Sequence, residues 1–236
     1  MKIALLTTDT THHRYFCWKL QDRFPIDLVL LESRSAKPGF ETHHPFEDQR
    51  DVYEREELLR GCPQSFDEMT QTCTVETANH PDAVSLLSQV NADIGLVFGT
   101  GKLQSAAIDA FSLACLNLHG GNPEEYRGLD THLWAMYHND FANLVTTLHV
   151  VAAALDTGDI VEQQLLPLTS QTQLHQVRAI NTNVCVDLCV NTLVKVEVEG
   201  RFDRRKQTTR GRYYSFMPSA LKEECRKKFT RHVGSL

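Results

Sequence analysis

Four short runs limit what this chain can fold into. KIALLTT (2–8), IDLVLLE (26–32), IGLVF (94–98) and CLNLH (115–119) have strand length, and IDLVLLE is apolar at consecutive positions rather than at alternate ones. A strand with one wet face alternates, whereas a strand covered on both faces does not, so this run calls for a parallel sheet with helices on each side. The intervening segments supply the helices. THHRYFCWKLQDRF predicts one, with Thr11 as N-cap and Phe16, Leu20 and Phe24 along one stripe. A short strand at 74–76, a helix at 82–90 and a turn plus helix in GTGKLQSAAIDAF follow. LWAMYHND reads as a helix, LVTTLHVV as a strand, LDTGDIVEQQLLPL as a turn and strand, and 171–196 as one long helix. The alternation predicts an α/β fold with a doubly wound, mostly parallel, Rossmann-like sheet.

At 236 residues, one large domain is expected. We read residues 1–198 as its core and 199–236 as a short basic and aromatic extension packed on it. The stretch from about 33 to 70 breaks the alternation. Its centre, 46–60, is helical with mixed charge, and it reads as an insertion that presents a solvated face or an oligomer contact, so a homodimer is a possible assembly.

Totals exclude some classes. A net charge of -6 argues against general nucleic-acid binding, and no apolar run approaches the ~20 residues a membrane helix needs. MKIALLTTD lacks the apolar core of a secretory signal, and the seven cysteines are odd in number with no C-x-x-C pair. Reduced thiols in a cytoplasmic protein are expected, with Cys185 and Cys189 packing in the long helix and no metal site.

Chemistry concentrates in LNLHGGNPEEYRG, 116–128. Side chains alternate along a strand, so Leu116 and Leu118 share one face and Asn117 and His119 the other. This places an amide and an imidazole at the carboxyl end of a strand, where open parallel sheets bind ligands. A self-satisfied polar pair has the same spacing. Asp156, in LDTGDI, is either turn chemistry or a third member of the group.

Taken together, Asn117-Leu118-His119, Tyr126-Arg127-Gly128, His149-Val150 and Asp156-Thr157-Gly158-Asp159-Ile160 resemble the folate-dependent formyltransferase superfamily. The resemblance implies that Asn117, His119 and Asp156 are catalytic in the attack of an amine on the formyl group of N10-formyltetrahydrofolate. Asn117 and a protonated His119 would donate to the developing oxyanion, His119 would also serve as base, and Asp156 would hold the imidazole and raise its pKa. The same resemblance implies a folate pocket along Val97, Phe98, Gly99 and Leu103, and along His149, Val150, Ala152 and Asp156, with the small residues 152–154 leaving a slot for a flat ring.

The acceptor is read from departures. Gly120 and Gly121 stand where many relatives carry His-Pro-Ser, which either opens room for a bulky amine or makes a plain turn. TTDTTHHRYF replaces the glycine-rich phosphate loop of glycinamide ribonucleotide enzymes, and about forty residues follow the core where the tRNA enzymes carry a larger C-terminal domain. The kind most similar is the nucleotide-sugar N-formyltransferases, which implies a dTDP- or GDP-linked amino sugar and a place in O-antigen or lipopolysaccharide assembly. His12, Gly120, Gly121, Tyr126, Arg127, Arg212 and Tyr213 are the expected acceptor contacts, with at least one of His12 and His13 at the surface. RFDRRKQTTRGR either holds a diphosphate or forms a solvated basic strand, and YYSFMP either stacks on a ring or closes the core.

Overall fold

The computed structural model describes residues 1–34 and 37–236; of the insertion, Ser35 and Ala36 lie outside the described residues. In chain order the elements are β1 (Ile3–Thr7), α1 (Thr11–Gln21), β2 (Leu28–Glu32), α2 (Pro45–Tyr53), β3 (Thr72–Val75), α3 (Pro81–Val90), β4 (Ile94–Phe98), α4 (Ser105–Ile108), β5 (Ala114–His119) and β6 (Tyr126–Gly128). They continue through α5 (Thr131–Tyr137), β7 (Val145–Val150), β8 (Ile160–Leu165), α6 (Val177–Glu199), β9 (Arg212–Tyr214) and α7 (Ser219–Val233). Seven strands form the main sheet in the order β3-β2-β1-β4-β5-β7-β8, and β6 pairs with β9 in a small second sheet. β1 to β5 run parallel, while β7 and β8 are antiparallel additions at one side.

Consecutive apolar residues are partitioned between two layers, as the runs require. Ile3 and Leu5 pack with Phe16 and Leu20 of α1 and Leu188 of α6, whereas Ala4 and Leu6 pack with Ala83 and Leu87 of α3. All nine of these side chains are 0% exposed, and each buried leucine or isoleucine contributes roughly 1.5–3 kcal/mol. The sheet order reverses between β1 and β4, so their carboxyl ends form the crevice in which doubly wound folds place ligands.

Several boundaries differ from the sequence reading. The N-cap of α1 is Thr10 and makes no side-chain cap bond. α4 is a single turn because the chain folds back at once to lay the Phe111 ring where a Gly95 side chain would be. The long helix begins at Val177 rather than 171, because the Thr169 and Thr172 hydroxyls lock the preceding residues into a turn.

The insertion is solvated on one side, where Asp48, Gln49, Asp51, Arg55, Glu56, Glu57 and Arg60 are exposed, and docked on the core by the other. Phe46 and Phe66 are buried in the main core, and α2 runs on into a π-helical turn, Glu54–Leu58. Glu54 is 0% exposed and meets the guanidinium of Arg178 on α6 through two hydrogen bonds, 2.7 and 2.6 Å. Glu54 alone among these charges is internal, and it looked solvated in sequence because its partner lies more than a hundred residues away.

Candidate active site

Asn117 and His149 are direct cross-strand partners between β5 and β7, which places the Asn117 Nδ2 3.0 Å from the His149 Nε2. The His149 Nδ1 lies 2.9 Å from the Val150 carbonyl, so Nδ1–H donates there and Nε2 accepts from the Asn117 amide. His119 ends β5. Its Nε2–H donates to the Tyr126 carbonyl at 2.8 Å, leaving Nδ1 as the nitrogen that can gain a proton. Asp156 approaches from the β7–β8 connection. Its Oδ1 lies 3.8 Å from His119 Nδ1 and 3.6 Å from His149 Nε2, and its Oδ2 accepts the Gly128 N–H at 2.8 Å. Thus Asn117, His119 and Asp156 converge, and His149 joins them as a fourth member.

Asp156 holds this place in a left-handed backbone, φ 52, a conformation that costs roughly 1–2 kcal/mol for residues with a side chain and less for aspartate. Gly158 explains why the turn can lie so tight: a Cβ there would sit 1.7 Å from the Val150 carbonyl oxygen. The Gln207 amide then straps the turn by donating to the carbonyls of Asp156 and Gly158.

Electrostatics differ from expectation at His119. Burial is the largest influence and pulls its pKa below the ordinary imidazole value, outweighing the upward pull of Asp156. The resting ring is therefore neutral near pH 7 and suited to accept a proton rather than to arrive protonated. Burial pushes the Asp156 carboxyl up, but the nearby imidazoles of His149 and His119 and the Gly128 N–H together hold it below the usual carboxylate range.

Two cavities meet here and share Gly99, Leu118, His119, Gly128 and Leu129 as walls. The smaller, about 140 Å³, is lined by Val97, Gly99 to Leu103, Asn117, His149, Val151, Ala152, Ala154, Leu155 and Asp156. Glu32 at the end of β2 shapes it, accepting the Gly101 N–H at 2.7 Å and the Ala78 N–H at 2.9 Å. The larger, about 390 Å³, is lined by residues from six segments of the chain, including His12, Phe46, Arg50, His132 and Arg178. At the strand-order reversal Gly99, φ 84, faces His13 so closely that a Cβ would sit 2.4 Å from the ring.

Of the expected folate contacts, Val97, Gly99, Leu103, His149, Ala152 and Asp156 line the smaller cavity, Phe98 lines the larger, and Val150 lines neither. Acceptor expectations need more correction. His12 and Gly120 line the larger cavity, and both His12 and His13 are buried, so neither takes the surface role. Gly121 opens no room: a Cβ there would meet Thr131 Oγ1 at 2.9 Å and His119 Nε2 at 3.2 Å. Tyr126 is buried with its hydroxyl donating to Asp140, and Arg127 spends its guanidinium on the carbonyls of Gly211 and Leu155. Arg212 and Tyr213 are exposed on β9 and line neither cavity. In the basic tail, Arg204 pairs with Asp159 and Arg205 with Glu124.

Sequence reasoning missed Phe46, Glu47, Arg50, Asp130, His132, Arg178 and Asn181, all on the larger cavity. Only the N-terminal Pro45 of α2 and the charged pattern of 46–60 marked that segment, and neither says where it docks.

The family description "Formyl transferase" matches residues 1–185. The chain belongs to the formyl transferase family. A methionyl-tRNA formyltransferase of Gloeothece citriformis is 29% identical over 148 residues, which cover 62% of this chain and 43% of that protein. The chain thus spans less than half the length of that relative. Among solved structures, a sugar N-formyltransferase from a Shewanella species superposes with a TM-score of 0.62 at 13% identity, covering 91% of this chain and 77% of the other. The formyltransferase PseJ of Anoxybacillus kamchatkensis, in complex with UDP-4,6-dideoxy-4-formamido-L-AltNAc and tetrahydrofolate, gives 0.56 at 16% identity over 91% of this chain and 86% of its own. At these identities the family members share the fold, and their acceptors are a separate question.

Among the described residues no helix is long and apolar enough to cross a membrane.

Proposed function

We propose that the protein transfers the formyl group of N10-formyltetrahydrofolate to a primary amine. The observation that carries this reading is the meeting of Asn117, His119 and Asp156 on the wall of the smaller cavity, where His119 also faces the larger one. The smaller cavity suits one flat ring system and not a whole folate, whose remainder would lie over the rim. Its fit rests on backbone brought close by the left-handed Gly99 and by the Glu32 clamp on Gly101. The bound cofactor supplies an activated one-carbon acyl group.

What the chain's own residues do follows from their contacts. Asn117, fixed by its bond to His149, holds a second N–H available for an oxygen that gains negative charge, and one such donor is worth roughly 2.7–4 kcal/mol. His119 takes the proton of the attacking amine at Nδ1, and Asp156, held anionic 3.8 Å away, stabilises the imidazolium that results. Burial keeps water away from His119 and Asp156, while Asn117 is half-buried at the cavity wall.

For the acceptor, the larger cavity favours a compact amine of amino-sugar size. Its guanidinium groups are already engaged, Arg50 by Glu47 and Asp51 and Arg178 by Asp51 and Glu54, and the basic tail lines neither cavity. A second reading, a dTDP- or GDP-linked amino sugar used in O-antigen or lipopolysaccharide assembly, is favoured by the sugar N-formyltransferase among the similar structures; it places the sugar in the cavity and the nucleotide outside it. The test is tetrahydrofolate release by purified protein supplied with N10-formyltetrahydrofolate and, separately, free amino sugars, small amines, and dTDP- and GDP-amino sugars. Turnover with free amines supports the compact acceptor, turnover restricted to sugar nucleotides supports the second reading, and no release with any of them defeats the proposal.

A further inference from the structure

Asp130 spends a backbone cost without using its side chain in the ordinary way. It sits at the N-cap of α5 with φ 52, and aspartate is among the best N-cap residues, yet its carboxylate makes no cap bond. Instead Oδ2 accepts the Met217 N–H at 2.8 Å, from the segment that leads into α7, and Met217 is itself 0% exposed. Among the described residues no donor meets Oδ1, and Asp130 lines the larger cavity together with His119, Gly120 and His132.

The other carboxylates around this cavity are committed. Glu47 is shared by Arg50 at 3.1 Å and Lys222 at 3.0 Å, while Asp51 and Glu54 hold Arg178. The imidazoles are kept neutral: burial lowers His12 well below its ordinary value and takes His132 to about 4. Asp130 is thus the one lining carboxylate with an oxygen left over among the described residues, and burial pushes its carboxyl up, a cost that a cation in the cavity would offset. Primary amines are cationic near pH 7, so the natural complement is the acceptor itself.

We propose that Asp130 selects the acceptor, its Oδ1 accepting a hydrogen bond from the substrate's ammonium group and holding that nitrogen in the compartment walled by His119. No bond is made or broken at Asp130; the ammonium gives one proton to neutral His119, which frees the lone pair for attack, and of the two protons the nitrogen loses in all, one ends on the departing tetrahydrofolate nitrogen and the other in solvent. The proposal rests on the amine-formylation reading above.

Asp130→Asn separates contact from structure, because the asparagine oxygen still accepts the Met217 N–H while the charge is lost. The probes are methylammonium chloride and methanol, each added to protein with bound 5-formyltetrahydrofolate and followed by saturation-transfer NMR on the methyl signal. The wild type should transfer saturation to methylammonium at least about fivefold more strongly than to methanol, Asp130→Asn should remove that preference, and Asp130→Glu should restore part of it. Melting temperature and 5-formyltetrahydrofolate affinity should be unchanged in Asp130→Asn. Equal transfer to methylammonium and methanol in the wild type, or an undiminished preference in Asp130→Asn, overturns the proposal. Should Asp130→Asn fail to fold, the wild-type comparison of the two probes decides alone. Absence of 5-formyltetrahydrofolate binding to the wild type, measured by calorimetry, overturns the folate reading as well, whereas folate binding with indifference to the amine overturns only the role of Asp130.

Discussion

The two cavities that meet at His119 are built in opposite ways. The smaller draws on the ends of β4 and β5 and on the β7–β8 turn, so each stretch of its wall is a short, continuous piece of chain. The larger draws on the start of α1, on α2, on the β6–α5 turn and on α6, held together by ion pairs across large sequence separations. A wall made of continuous segments leaves a motif. A wall assembled by docking leaves only charges and apolar residues whose destination depends on the rest of the fold.

The shared residue gives the sharpest test. His119→Ala should lower kcat by about a hundredfold to ten-thousandfold, the range for a positioned general acid or base, with tetrahydrofolate affinity retained. Steady-state rates with an accepted amine, beside calorimetry with tetrahydrofolate, check it. A near-normal rate removes His119 from the reaction and leaves the two cavities with no common function.

Next in size is the joint that holds the larger cavity to the core. Arg178→Ala leaves the fully buried Glu54 without its guanidinium partner, and breaking a buried pair costs about 3 kcal/mol or more; the lower end applies because Arg178 is itself 31% exposed. Urea unfolding should show this loss. The comparison predicts a split: the Michaelis constant of the acceptor rises while folate affinity holds. Equal damage to both would mean that the insertion supports the whole site and not one side of it.

How much was legible follows the same division. The strands were readable because the first four residues of β1 and of β2 and all of β4 lack polar side chains, which burial on two faces explains, and their alternation with helices was enough for the doubly wound sheet. Asn117 and His119 were readable as polar residues at a strand end, and the resemblance to formyltransferases joined His149 and the turn residue Asp156 to them. Glu54 was not. Its chemistry in sequence is that of any solvated acid, and only its position opposite Arg178 makes it internal. Gly121 misled for a related reason: a missing side chain looks like space, but Thr131 and the His119 ring occupy it. Arg127 and Tyr126 also stand in a motif without facing a cavity, because their work is to fix the tail and the α5–β7 connection behind the site.

Acidity tests the two sides through their histidines. A base with a lowered pKa acts at full strength down to that value, so kcat/KM should hold to below pH 6.5 and then fall tenfold per unit as His119 gains a proton. Asp156→Asn removes an upward influence on the His119 pKa, so the surviving activity should show this limb at still lower pH. A limb above 6.5 would show that Asp156 outweighs burial. On the acceptor side, burial takes His13 and His132 to about 4, below the unfolded value, so their contribution to stability is complete above pH 6.5 and is lost as pH falls toward 4. Urea midpoints at pH 7.5 and 5.5 should decline accordingly.

The smallest expected effect concerns the basic tail. Arg212 is exposed on β9, its guanidinium stacks over the Tyr214 ring with the centroid at 5.6 Å, and it lines neither cavity. Exposed charges of this kind are screened over about 10 Å at 0.1 M salt, so an influence on a compact acceptor inside the larger cavity should be slight. Arg212→Ala should leave kcat/KM for a free amine within about twofold, and raising salt from 0.05 to 0.5 M, roughly a threefold shortening of the screening length, should change it no more. A dianionic nucleotide tail lying outside the cavity would behave differently: its grip would pass through exposed cations, weaken with salt, and suffer in Arg212→Ala. Agreement of the two acceptor types in this measurement would place recognition inside the cavity for both. A loss confined to sugar nucleotides would mean that the larger cavity is one half of an acceptor site whose other half is the tail.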